Sequence, residues 1–149
     1  AGKDVDAGNA ALQSAIAAHP GLAAHMHLLG RRDDVPRLMA AFDVLASPSH
    51  GEAFPNVLGE AMACGTPCVV TEAGDSAEIV GSTGRVVAVG DMAGLARQLI
   101  AVLKLPTAER TALGQQARAR VQENYEIGRV ARQYEAVYEQ VHAQGRVGA

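Results

Sequence analysis

Residues Ser47 to Thr71 read SPSHGEAFPNVLGEAMACGTPCVVT, and the order of residue types in this stretch decides the fold. A short apolar strand, Val44 to Ser47, runs into a loop rich in Ser, Gly and Pro. A helix over Asn56 to Cys64 follows, with Pro55 in its first turn, where a missing N–H costs nothing and the fixed φ suits the helix. Gly65 and Pro67 form the stop signal, and Cys68 to Thr71 is a second apolar strand. Strand, helix and strand make a βαβ unit. Its loop lies at the carboxyl end of the first strand, where open α/β sheets bind ligands.

Two carboxylates mark that loop and helix. Glu52 stands just before the helix and Glu60 eight positions later, inside it. The free N–H groups of a helix start attract anions. Carboxylates placed there repel a bare phosphate but accept well from hydroxyls. Amides for an anion beside carboxylates for hydroxyls describe a site for a sugar joined to a phosphate.

Outward from this unit, short apolar runs alternate with helical patterns. Met26 to Leu29, ending at Gly30, reads as a strand, as does Arg85 to Ala88. Helices are predicted over Ala10 to Ala18, preceded by Gly8 or Asn9 and stopped by Pro20-Gly21, and over Val35 to Ala41 with Asp34 as N-cap. A short helix begins at Glu78, and one over Met92 to Leu103 is capped by Asp91, with Leu95, Leu99 and Val102 on its apolar face. A more charged helix runs from Thr107 to Asn124. On the last helix Ile127, Val130, Ala131, Tyr134, Val137, Tyr138 and Val141 form a stripe at helical spacing, read as core packing. Apolar strands alternating with helices predict a parallel sheet covered on both faces.

Composition bounds the function. With 149 residues, 48% hydrophobic and 19% charged, the chain suits one domain with a real core. Net charge is −3, and of 13 basic residues only Lys3 and Lys104 are lysine. No basic stripe with interleaved aromatics occurs, which argues against nucleic acid as a partner. The apolar runs fall far short of the ~18 residues that span a bilayer. Cys64 and Cys68 have no nearby His to complete a zinc site and read as reduced, buried small hydrophobes, consistent with a reducing, cytoplasmic compartment. His25 and His27 share a strand face with no third ligand, and His19 and His142 read as structural or surface residues. No metal site is expected. The chain does not open on Met and is expected to be a piece of a longer protein.

The Ser47–Thr71 segment resembles the E-x7-E region of retaining glycosyltransferases of the GT-B fold, in the large family called GT4, whose pattern reads roughly S-x-x-E-G-F-P-x-x-x-x-E-A-M-A-C-G-x-P-V-V. The chain departs from it mainly at Ala53 and Cys68. The flanking blocks LLGRRDDVPRLMAAFDVLASPS and EIVGSTGRVVAVGDMAGLARQL continue the resemblance. It implies a Rossmann-like doubly wound parallel sheet, the C-terminal, donor-binding half of a GT-B enzyme, with strand order 3-2-1-4-5-6. Met26 to Leu29 corresponds to the third strand and Val44 to Ser47 to the fourth. The first two strands, the Arg and Lys that face the diphosphate, and the acceptor domain would lie upstream of Ala1. Residues 1–144 are thus expected to be a partial nucleotide-sugar-binding domain and 145–149 a frayed tail. A sheet without its middle leaves open edges that invite self-association or another pairing. Part of the last helix's stripe would be free to cover a surface of the other domain.

By the same resemblance Glu52, Ala53, Phe54 and Asn56 face the donor sugar. Gly30, Arg31, Val57, Leu58 and Glu60 face the nucleotide and diphosphate, Glu60 at the ribose hydroxyls. Ser49, His50 and Asp75 border the pocket. Ala53, Phe54, Asn56, Val57 and Leu58 would act through backbone N–H groups, and Gly30-Arg31 through the turn that reads the base edge. Residue chemistry alone leaves simpler readings open: Glu52 as a helix-dipole carboxylate, Glu60 on a solvated helix face, and Arg31-Arg32 as a solvated pair opposite Asp33-Asp34. Ala53 stands where the family usually has Gly, and a positive φ there would cost about 1 kcal/mol. The implied partner is a nucleotide-diphosphate sugar, with no cofactor and no required metal, in a cytoplasmic protein peripheral to the membrane when complete. Neither Glu is assigned as general acid or base, and the fragment alone is expected to be inactive. The alternatives are a sugar-nucleotide epimerase of the same fold and a non-catalytic nucleotide-binding or interaction module.

Overall fold

The computed structural model describes residues 2–19 and 21–145. The chain divides into two compact units, one up to Val35 and one from Pro36 on.

In the first unit, helix α1 (Ala10–Ala17) is capped by Asn9, whose side chain accepts from the Leu12 N–H at 3.1 Å. The expected strand over Met26 to Leu29 forms no ladder. A strand exists only through a hydrogen-bonded neighbour, and among the described residues none pairs with it in a ladder. Met26 and Leu29 are accordingly 44% and 40% exposed. Asp34, the expected N-cap of the following helix, is engaged by a nearby arginine. Arg32 donates to both of its carboxylate oxygens, each at 2.8 Å, which lowers the Asp34 pKa and raises that of Arg32.

The second unit opens within α2 (Val35–Ala40) and holds a three-stranded parallel sheet in the order β1 (Leu45–Ser47), β2 (Cys68–Thr71), β3 (Arg85–Val87). Leu45 pairs with Cys68 and Ser47 with Val70; Val69 pairs with Arg85 and Thr71 with Val87. Helix α3 (Asn56–Ala63) joins β1 to β2. Helix α4 (Ser76–Val80) and a 3-10 turn over Gly81–Thr83 join β2 to β3. All four residues of β2 are buried, so both faces of the sheet are covered there. Val69 packs with Leu95 and Val102 of α5 (Met92–Leu103), flanked by Val44, Val87 and Leu99. Cys68 and Val70 point the other way by the alternation of a strand, the side that α3 and α4 cover with Leu58, Met62, Ile79 and Val80.

Local chemistry explains these boundaries. Asp91 accepts the Gly94 N–H at 2.7 Å and starts α5. Helix α3 ends at Cys64 in a Schellman motif: Gly65, at φ +79, donates to Met62 and Thr66 donates to Ala61. The buried Thr66 hydroxyl then donates to the Met39 carbonyl at 2.5 Å, tying the helix end to α2.

Helix α6 (Thr107–Tyr125) lies across α3. Two of its arginines are structural. Arg110 donates to the Leu103 and Leu105 carbonyls at the end of α5 and to Asp43 at 2.8 Å. Arg120 donates to the Ile79 and Glu78 carbonyls at the end of α4. Helix α7 (Ile127–Gly145) overturns one expectation, because its apolar stripe is not core. Ile127 is 78% exposed and Tyr138 67%, and of the stripe only Val130 is half-buried.

Cys68 is 1% exposed, and burial pushes its thiol up from the ordinary 9.0 to about 12. The unfolded chain therefore loses this proton before the native state does. Stability from this group is intact below pH 9.0 and falls as pH rises towards 12. Thermal unfolding should show a steeper loss over that range for the native sequence than for Cys68→Val.

A Cβ on Gly114 of α6 would overlap the Gly65 carbonyl oxygen and stand 2.9 Å from its carbon, whereas one on Gly59 of α3 would meet nothing within 4 Å. The same substitution should therefore act in opposite directions. Gly114→Ala should destabilise by about 1–3 kcal/mol through overpacking against backbone that cannot move aside. Gly59→Ala should stabilise by about 0.5–1 kcal/mol, the usual gain in a helix interior. Chemical denaturation of both variants measures the pair.

Candidate functional site

The loop between β1 and α3 is fixed from three directions. Thr71, buried at the end of β2, donates its hydroxyl to the Ser49 carbonyl at 2.5 Å, with the Ser47 carbonyl at 3.3 Å. Ser49 donates its own hydroxyl to Glu52 Oε1 at 2.8 Å. From the far side, the Asp75 N–H donates to the Ala53 carbonyl at 3.1 Å. Gly74, at φ +52, lies so close that a Cβ would overlap the Glu52 carbonyl oxygen and stand 2.6 Å from that of Ala53. Gly74 is therefore demanded twice, by its left-handed backbone and by this contact.

The concern over Ala53 is answered by the backbone. Among the described non-glycine residues only Asp4 has a positive φ, so Ala53 carries no left-handed strain. The first turn of α3 follows directly, with Pro55 as N-cap and no side-chain hydrogen bond to the helix amides. The Leu58 N–H is used by the Pro55 carbonyl at 3.0 Å. Those of Asn56 and Val57 open the helix and have no partner within it. The Leu58 side chain is fully buried and anchors the turn.

Glu60 and Glu52 occupy different surroundings. The sequence placed apolar Leu58, Ala61 and Met62 around Glu60, but these three are buried on the inner face of α3 while Glu60 is exposed. Glu60 instead borders a hollow of about 230 Å³ with Phe54, Asn56, Gly59, Ile79, Val121 and Tyr125. Phe54 meets Tyr125 edge to face, ring centroids 5.8 Å apart. Val121 and Tyr125 lie more than sixty positions down the chain from Glu60. Tyr125 is one of only three tyrosines, and that scarcity was the one signal that could have singled it out.

Of the residues expected to border the pocket, Ser49 is half-buried in the Thr71–Glu52 relay, while His50 and Asp75 are exposed. Asp75 takes part through its backbone, as the residue before α4. Gly30 and Arg31 belong to the first unit. Gly30 is buried at φ +61; its N–H donates to Val5 at 2.7 Å and its carbonyl accepts from Gly2 at 2.8 Å. Its N–H is thus committed within the unit, and Arg31 beside it is exposed. Among the described residues no group of His, Cys, Asp and Glu could hold a metal ion, and no helix is long and apolar enough to cross a membrane.

Comparison with known proteins agrees with this architecture. The model of the family described as glycosyl transferases group 1 matches residues 1–105. The chain is 40% identical over 112 residues to N-acetyl-alpha-D-glucosaminyl L-malate synthase of Bacillus anthracis, covering 74% of this chain and 29% of that protein. It is 35% identical over 130 residues to phosphatidyl-myo-inositol mannosyltransferase of Mycobacterium leprae, covering 84% of this chain and 34% of that one. The chain thus spans about a third of the length of these relatives. Among solved structures, sucrose-phosphate synthase of Thermosynechococcus elongatus superposes with a TM-score of 0.79 at 29% identity, over 89% of this chain and 34% of that one. HepE of Anabaena in complex with UDP-glucose gives 0.66 at 30%, over 75% and 31%. This chain belongs to the group 1 glycosyl transferase family, and its fold is that of the C-terminal half of a GT-B enzyme.

Proposed function

We propose that this chain is the donor-binding part of a retaining glycosyltransferase, holding a nucleotide-diphosphate sugar for transfer to an acceptor bound by another part of the protein. One observation carries the reading: Glu52 is held by Ser49 immediately before a helix whose first turn has no side-chain cap. A fixed carboxylate beside open amides suits a sugar hydroxyl next to a diphosphate. That HepE was solved with UDP-glucose supports the ligand class. In this reading Glu52 orients the sugar with the Asn56 amide beside it, the Val57 amide faces the diphosphate, and Glu60, at the rim of its hollow, accepts from the ribose hydroxyls.

The chemistry follows from where charge develops. As the bond from the anomeric carbon to the diphosphate oxygen breaks, negative charge grows on the leaving group, and pre-oriented donors lower the barrier by meeting it. The acceptor oxygen then bonds the anomeric carbon on the face the diphosphate leaves, and the acceptor hydroxyl's proton passes to the departing diphosphate oxygen, so that bonds and charge balance. The reading asks no proton transfer of Glu52 or Glu60 and assigns no step to a metal. It takes residues 1–144 as part of the donor domain, with the acceptor domain supplied elsewhere in the protein.

In the complete gene product, calorimetry with nucleoside diphosphates should show Glu60→Gln weakening binding by roughly 1.5–3 kcal/mol, the range for a hydrogen bond to a charged group. Glu52→Ala should leave affinity for the bare nucleotide nearly unchanged while sugar transfer falls. Unchanged nucleotide affinity in a folded Glu60→Gln protein removes Glu60 from the site. Equal loss of both properties in Glu52→Ala makes Glu52 a loop-holding residue only.

The 149-residue chain by itself should transfer no sugar from any nucleotide sugar tested by product analysis. Holding donor and acceptor within reacting distance supplies on the order of 7–11 kcal/mol, and this reading places the acceptor site outside the chain. Robust transfer by the chain alone would require an acceptor site within it.

A further inference from the structure

The hydrogen bonds around Glu52 form a directed sequence that starts in the core. The ladder between β1 and β2 stops at Ser47 and Val70. Beyond that point the Thr71 side chain continues the connection, because its hydroxyl donates to the Ser49 carbonyl at 2.5 Å. Thr71 is 1% exposed, so this anchor is as immobile as the sheet. Ser49, held by its backbone, has its hydroxyl proton committed to Glu52 Oε1 at 2.8 Å. The Ser47 and Ser49 hydroxyl oxygens are 3.5 Å apart, so the Ser49 oxygen can also accept. Gly74 and Asp75 constrain the Glu52–Ala53 backbone independently. Glu52 is exposed, and among the described residues its second oxygen, Oε2, has no hydrogen-bond partner.

A flexible glutamate on a surface loop would sample many rotamers and lose that freedom on binding a ligand. Here one oxygen is already engaged by a donor set from the core, and the other is left to accept. We infer that Ser49 is a positioning residue, acting on transfer solely through Glu52, with Thr71 as its anchor in the sheet. This role differs from that of a residue bordering the ligand, since the only proton of the Ser49 hydroxyl is spent on Glu52. The inference rests on the reading of Glu52 as the acceptor of a donor-sugar hydroxyl.

The test is a double-mutant cycle in the complete gene product, with kcat, KM and nucleotide affinity measured for the native protein, Ser49→Ala, Glu52→Ala and the double variant. Ser49→Ala should lower kcat by roughly tenfold, as expected for one hydrogen bond to a charged group, with nucleotide affinity unchanged. Ser49→Thr, which keeps the hydroxyl, should recover most of that rate. Ser49→Ala should add nothing in the Glu52→Ala background, because its effect has no other route. Losses that multiply in the double variant, or weaker nucleotide binding in Ser49→Ala, overturn the inference. So does an unchanged kcat in Ser49→Ala when Glu52→Ala is slow, which leaves the functional reading standing. An unchanged rate in Glu52→Ala overturns both.

Discussion

Strand β2, Cys68–Thr71, is bonded on both edges and buried on both faces, and the unit from Pro36 onward depends on it. A strand so enclosed must spend every backbone polar group within the protein, since water cannot reach them. Both neighbouring strands are thereby fixed in register and parallel to it. The position of Thr71 at its carboxyl end is then given, and the loop carrying Glu52 follows from Thr71.

Helix α6 closes the second layer, and its polar residues do more than face water. Arg110 and Arg120 reach carbonyls at the ends of α5 and α4. Such groups have no intrahelical partner and require one when covered. Gly114 lets the helix backbone come down onto Gly65, the residue that ends α3. The site helix is thus held at its far end by a glycine–glycine contact, while its first turn is left open. That division suits a binding element: rigid where it packs, unsatisfied where a ligand would arrive.

The two carboxylates that dominate the sequence are treated differently by the fold. Glu52 is tied by a hydroxyl relay to the most buried strand. Glu60 sits on an exposed helix face beside a shallow hollow walled by α6 and by the Phe54–Tyr125 pair. In the functional reading the first is pre-oriented before any ligand binds, and the second depends on a wall contributed by distant residues.

The βαβ unit around Glu52 was legible in the sequence because each of its boundaries is set by nearest-neighbour chemistry. Gly65 supplies the left-handed stop, and the apolar runs at Leu45–Ser47 and Cys68–Thr71 are the strands. Elements that depend on distant partners were misjudged from the same sequence. Met26 to Leu29 has strand-like composition, but a strand is a relation between two segments, and among the described residues no second one pairs with it in a ladder. The stripe on α7 has core periodicity, yet burial needs an opposing surface, which periodicity cannot supply. The sequence by itself thus determined the fold class and the candidate carboxylates, which follow from local propensity and spacing. Only the tertiary structure decided that Ser49 holds Glu52, that Gly74 must be glycine and that Tyr125 neighbours Glu60. Those relations arise when segments far apart in the chain are packed at atomic distance, and one-dimensional spacing carries no record of them.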